Sequence, residues 1–418
     1  MCIRTEKAVM GSGSSRSSSL KKVCSDHCGG INWLSLSPDG SYLLTASEDG
    51  TARLWKTSEQ KSCMHFQGHE SYITHCHLEN DVAYTCSADQ TIRKWDVATG
   101  CCTVVFRGHT SIVNKLLVTR SCLFSGSYDR TARCWSLDTG RQLQEFRGHW
   151  NGVLALDHFY SQDFLPELDS EQNKEFLITG STDCTVKLWL VPSGRCYQTL
   201  RGHKGAILCM ALDIPNRALF TGSRDYTVRR WDLTTGEQTK VFQEHQGSVI
   251  CLELANRHLY SGSADQTVKC WKSESGKCIR TYKAHKHTVS TMKYHNGILF
   301  TGSGDSCARA FDTKSGVLKK VFRGHTFVIN CLQIHNHILY TVSHDGTLRV
   351  WDVQGLFEQE KCCKKSNRDR QCKNSRKSSL SRLCKNRVGC VWEEEQPPSA
   401  QSVQVRRESY EREAVELI

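Results

Sequence analysis

The chain has 418 residues, 38% of them hydrophobic, with 23 cysteines and a net charge of +12. That hydrophobic content can build a large core, and no run approaches the roughly 18 apolar residues that span a bilayer, so a helical membrane protein is not expected. The charge is local: residues 361–387 hold eleven Lys/Arg against one acid, Asp369. The stretch between the two ends is nearly neutral, which argues against a basic nucleic-acid-binding domain.

Residues 1–17, with SGSSRSSS, lack periodicity and read as a flexible tail. Met10-Gly11-Ser12-Gly13-Ser14-Ser15 fits a myristoylation pattern, which applies only if translation starts at Met10. No apolar core of a signal peptide is seen near Met1, and the cysteines lack CxxC-like spacing. Many of them, such as Cys76, Cys209, Cys251 and Cys331, fall inside strand-like runs. A reduced, intracellular protein is expected, cytoplasmic or alternatively nuclear.

Residues 18–355 hold eight copies of one unit. A histidine opens each: His27, His69, His109, His149, His203, His245, His285 and His325. A Ser-x-Asp follows, with serines Ser47, Ser87, Ser127, Ser181, Ser223, Ser263, Ser303 and Ser343, and acids Asp49, Asp89, Asp129, Asp183, Asp225, Asp265, Asp305 and Asp345. An aromatic closes each unit: Trp55, Trp95, Trp135, Trp189, Trp231, Trp271, Phe311 and Trp351.

The third unit shows the pattern plainly. Ile112–Val118, Cys122–Ser127, Thr131–Ser136 and Arg141–Phe146 are short apolar or β-branched runs ended by turn residues, which predicts a four-stranded antiparallel meander. A sheet apolar on both faces is not stable alone; stacked in a ring, eight such sheets bury those faces. The predicted fold is therefore all-β, an eight-bladed β-propeller of four-stranded antiparallel blades. The fourth unit carries an insertion, roughly Tyr160–Lys174, with Asp163, Glu167, Asp169 and Glu171, between its first two strands.

Gly-His, Ser-x-Asp and Trp-Asp (Trp95-Asp96, Trp231-Asp232, Trp351-Asp352) at a period near forty resemble the WD-repeat family. The resemblance implies that the N-terminal strand closes the last blade, whose own unit stops after Trp351. It also implies that each His, Ser, Asp and Trp form a structural tetrad, the Ser and the Asp binding the His and the Ser or His meeting the indole N–H. Ser, His and Asp are triad residue types, but eight copies favour this bracing over catalysis. A non-enzymatic protein without metal or cofactor is expected. In the seventh unit Phe311 has no N–H and Cys307 replaces the usual Thr, so that blade is expected to keep its packing, lose a hydrogen bond worth about 1 kcal/mol and be the least stable.

Family resemblance further implies that partners meet the top rim, at the third and fifth residues after each His and the residue before each Asp. These are Tyr72, Thr74, Ile112, Asn114, Tyr128, Val328 and Asn330, with Arg224, Glu48 and His344 adding charge or polarity. The expected role is a protein-interaction scaffold, a monomeric propeller that binds other proteins and no specific nucleic acid. The alternatives are a substrate-recognition subunit of a ubiquitin ligase acting through a separate linker, and a membrane-attached scaffold.

Residues 356–418 contain no repeat; a basic tract dotted with Cys362, Cys363, Cys372, Cys384 and Cys390 precedes an acidic end, a composition that predicts disorder. Palmitoylated cysteines beside so many basic residues would hold an anionic membrane weakly; a nuclear-import signal or a fold-back onto the acidic insertion are the other readings.

Overall fold

The computed structural model describes residues 19–160 and 175–357. The Gly11 motif, most of the insertion and the basic tract lie outside the described residues. The described chain forms thirty-two strands, arranged as eight separate four-stranded sheets. It is an eight-bladed β-propeller. In blade 3 the strands are Val113–Val118, Cys122–Ser127, Thr131–Ser136 and Gln142–Arg147. Each differs by at most one residue from the runs legible in the sequence.

Blade 8 is assembled from both ends of the propeller. Its outer strand is Leu20–Cys24, antiparallel to Leu348–Asp352 with Cys24 opposite Leu348. Asp352 N–H donates to Ser19 O at 2.7 Å, and Lys21 Nζ lies 3.1 Å from the Asp352 carboxylate. A terminus paired in this way cannot fray without opening the ring.

The core lies between blades rather than within them. Phe106 of blade 2 packs at 6.0 Å on Trp135 of blade 3, and Phe146 of blade 3 at 5.7 Å on Trp189 of blade 4. The pattern recurs as Phe242 on Trp271 and Phe322 on Trp351. Phe106, Phe146 and the tryptophans are nearly solvent-free, and burying one such aromatic stabilises by about 1.5–3 kcal/mol. At the closing seam Cys24 occupies the place of that phenylalanine against Trp55, beside a cavity of about 10 Å³ lined by Cys24, Leu43, Trp55 and Tyr340.

In blade 3 the connection after Arg147 and the turn after Ser127 lie at one end, the top; the connection after Val118 lies at the bottom. Antiparallel pairing carries this to every blade. The insertion of blade 4, which joins Val153–Tyr160 to Glu175–Ser181, therefore opens at the bottom, where Ser19 and Asp352 also stand.

Candidate functional site

Each top loop is held by one hydrogen-bond chain. In blade 1 the Trp55 indole N–H donates to Thr45 Oγ1 at 2.9 Å, His27 Nε2 lies 2.8 Å from the same oxygen, and His27 Nδ1 lies 2.8 Å from Asp49 Oδ2. A hydroxyl that accepts from the indole has its proton left for Nε2, so Nδ1 carries the imidazole proton and donates it to the carboxylate. Donors and acceptors then match along the whole chain. Asp49 also accepts from Cys28 N–H and from the Thr51 backbone and hydroxyl. Burial would raise its carboxyl, but these hydrogen bonds, led by that from His27, hold it far below the usual carboxylate range.

The hydroxyl of this chain is a correction to the sequence pattern. It belongs to the residue two before the expected serine: Thr45, Thr85, Ser125, Thr179, Thr221, Ser261, Thr301 and Thr341. Residues two apart share a strand face, so both hydroxyls lie on the His side, and the deeper one reaches ring and indole together. Ser47, Ser87, Ser127, Ser181, Ser223, Ser263, Ser303 and Ser343 instead donate to the carbonyl of the second residue after each His, and accept the N–H of the Asp. They tie top loop to turn. In blade 3 the glycine of Gly-His lies at close approach: a Cβ on Gly108 would come within 2.5 Å of the Arg133 guanidinium and 3.1 Å of the Trp135 ring.

Blade 7 is built differently. Phe311 is buried against Tyr282 at 5.2 Å, and no indole reaches Thr301. Cys307 offers Asp305 only its backbone N–H, at 3.1 Å. Into that space comes Arg309, whose Nη1 lies 2.8 Å from Asp305 Oδ2, 3.0 Å from Oδ1 and against His285 Nδ1. The His–Asp contact lengthens to 3.3 Å, whereas His285 Nε2 stays 2.7 Å from Thr301 Oγ1. With an arginine donating to Nδ1, the imidazole proton sits on Nε2 and the chain runs in the opposite sense. The lost indole bond is thus accompanied by a buried ion pair that the sequence pattern did not foresee.

Of the expected rim residues, three spend a side-chain group on the ring itself. Asn114 Nδ2 donates to Val153 O of the next blade at 3.1 Å, and Asn330 Nδ2 to Ile31 O across the closing seam at 2.9 Å. Asn32, Thr74 and Ser290, each also the fifth residue after its His, bond the same carbonyl of the following blade. These are inter-blade ties, which the sequence pattern did not foresee. His344 lies 3.4 Å from Glu48 over the seam, and Glu48 raises its imidazole above the ordinary value.

Tyr72, Ile112, Tyr128 and Val328 are half-buried and Arg224 is exposed. Tyr128 lies across Gly152 of blade 4, where a Cβ would meet its ring at 2.7 Å. The same loop presents Trp150, 80% exposed. Trp150, Phe327 (55% exposed) and Tyr226 were not singled out from the sequence, although Trp150 and Phe327 follow a His by one and two residues.

At the channel wall, the Trp33 and His75 rings lie tilted against each other at 4.5 Å and Lys115 Nζ stands 5.9 Å over the Trp33 ring. All three are the sixth residue after a His, in blades 1, 2 and 3. Desolvation lowers the Lys115 ammonium, opposed by Asp157. Among the described residues no cluster of three or more His, Cys, Asp or Glu could hold a metal ion, and no helix is long and apolar enough to cross a membrane.

Family comparison matches the WD domain, G-beta repeat (WD40) over 18–56, 60–96, 100–136, 140–189, 194–232, 236–272, 276–312 and 316–352. The chain belongs to the WD40 repeat family. It is 67% identical over 213 residues to WD repeat-containing protein 86 of Homo sapiens, a match that covers 50% of this chain and 56% of that protein. The chain thus spans little more than half the length of this curated relative. The WD40 propeller also resembles the crystal structure of the computationally designed Ika8 protein, with a TM-score of 0.70 and 26% identity over 78% of this chain and 97% of that one. WD40 repeats build protein-interaction scaffolds as a class.

Proposed function

We propose that this WD40 propeller is a non-enzymatic adaptor that binds partner proteins on the top rim of blades 2 to 4. The observation that carries it is the exposed Trp150 beside Tyr128. A bulky aromatic left in water on a loop braced by its own hydrogen-bond chain is an anchor in search of a pocket. Tyr72 and Ile112 extend the patch over blades 2 and 3. The Ser, His and Asp groups are occupied in bracing each loop, which supports a scaffold rather than a hydrolase.

Proximity labelling with the wild-type chain and a Trp150→Ala/Tyr128→Ala variant tests this. Loss of a defined set of partners, with the propeller still folded, is expected. Unchanged partners would remove the patch. Enrichment of ubiquitin-ligase scaffold subunits in both samples would favour the substrate-recognition reading instead.

A further inference from the structure

Two cysteines of blade 3 have no counterpart pair in the other units. Cys122 opens the second strand, and Cys134 lies in the third opposite Phe124, so the two are diagonal neighbours on one face of the sheet. Both are free, both are less than 5% exposed, and both belong to the apolar cluster between blades 3 and 4. The corresponding positions in the other units pair residues such as Tyr42 with Leu54, Val82 with Lys94 and Ala218 with Arg230.

The surroundings of Cys122 are polar on one side only. Thr119 Oγ1 lies 3.6 Å and Ser121 Oγ 3.8 Å from its sulfur. Ser121 Oγ is in turn 3.4 Å from Tyr160 OH, and Tyr160 donates to Glu175 Oε1 at 3.0 Å. These residues border the opening of the blade 4 insertion at the bottom face. The Cys134 thiol and the two hydroxyls hold the Cys122 thiol below its ordinary range, against the effect of burial, while the same contact and burial push Cys134 far up. Cys122 is the one described cysteine lowered in this way. The buried Cys86 and Cys331 are pushed up to about 12 and 11.

We propose that Cys122 and Cys134 form a dithiol site that a peroxide oxidises to a cross-strand disulfide. The Cys122 thiolate attacks a peroxide oxygen; the S–O bond forms, the O–O bond breaks, and the leaving oxygen takes a proton. Cys134 sulfur then attacks the resulting sulfenic sulfur, the S–S bond forms, and the hydroxyl leaves with the Cys134 proton as water. With hydrogen peroxide the sum is two thiols and one peroxide to one disulfide and two waters. Cys122 directly follows the exposed Arg120 and Ser121, so opening of that turn admits a reagent this small.

The reduced full chain, treated with graded hydrogen peroxide, trapped with N-ethylmaleimide in denaturant and digested with trypsin without reductant, tests this. Trypsin releases 121–130 and 134–141, each with one cysteine. The expected product is these two peptides joined. Both thiols should vanish together, and faster than that of the equally buried Cys86. In Cys134→Ala the Cys122 thiol should stop at the sulfenic acid and be captured by dimedone. The proposal is overturned if 121–130 and 134–141 remain maleimide-labelled after the exposed Cys28, Cys63 and Cys101 are oxidised. Linkage of either peptide to any other cysteine would overturn it equally.

Discussion

Blades 3 and 7 have the same four strands, the same histidine and the same acid, yet brace their top loops by different means. In blade 3 a hydrogen-bond chain runs from Trp135 through Ser125 and His109 to Asp129, and Thr131 donates to the acid at 2.6 Å. Its Arg133 is turned away, to Gln142 and Glu145 at 2.7 and 3.0 Å, over the Trp135 ring. In blade 7 the indole and the hydroxyl are both gone, and Arg309 turns inward to the acid it ignores elsewhere. A repeat protein can thus replace an indole–hydroxyl and a hydroxyl–carboxylate hydrogen bond by one buried cation. The cost is dependence on a single side chain.

The largest expected effect breaks that dependence. Arg309→Met leaves Asp305 buried beside an imidazole without its cation and should destabilise by about 3–5 kcal/mol, whereas Arg133→Met should cost about 1 kcal/mol, because its partners are nearer solvent. Native-state hydrogen exchange of the two blades reads both; equal losses would erase the contrast.

Next comes the shared hydroxyl. Ser125→Ala strands both the Trp135 N–H and His109 and should cost about 2–3 kcal/mol, while Thr301→Val strands only His285 and should cost about 1–2 kcal/mol. Ser127→Ala, at the louder sequence motif, should cost less than Ser125→Ala by thermal unfolding. The reverse order would restore the serine of Ser-x-Asp to the chain.

Acidification should weaken both blades. Burial lowers His109 and His285, and Arg309 lowers His285 further. For a histidine lowered in the fold, the stabilisation is complete above the unfolded value near 6.5 and is lost as pH falls through the folded value. Stability should therefore decline below about pH 6.5 as histidine protonation begins to favour the unfolded chain. His344, raised by Glu48, contributes in the opposite sense: its share is full below about 6.5 and fades as pH rises through its folded value. Imidazole NMR titration of wild type and Glu48→Gln checks both signs.

The smallest effect concerns the ring. Asn114→Leu removes one inter-blade hydrogen bond and should cost about 1 kcal/mol, with partner binding unchanged. Loss of a partner from this variant would return Asn114 to the rim.

Much of this molecule was legible because its signals are local. The alternation of apolar residues and the turn residues placed the strands of blade 3 to within one residue. The matched ends Lys21-Lys22-Val23 and Lys319-Lys320-Val321 exposed the shared last blade. The site was read less well where two residues satisfy one pattern: Thr45 and Ser47 are both hydroxyls on one strand face, and sequence has no measure of depth. Trp150 was passed over because nothing in a linear pattern says whether a loop aromatic folds inward or stands in water.

The sequence by itself determined the period, the number of blades, the strand boundaries and the identity of each His, Asp and Trp, since these follow from short-range geometry that each unit repeats. Only the tertiary structure decided which hydroxyl joins His to Trp, that Asn114 and Asn330 bond the next blade, and that Arg309 turns inward. Those outcomes depend on distances between atoms that are remote in sequence, as with Asn330 and the Ile31 carbonyl, and on whether a neighbour has left space. An indole missing at Phe311 and a hydroxyl missing at Cys307 are visible in the chain; the arginine that fills their place is visible only once the strands are side by side.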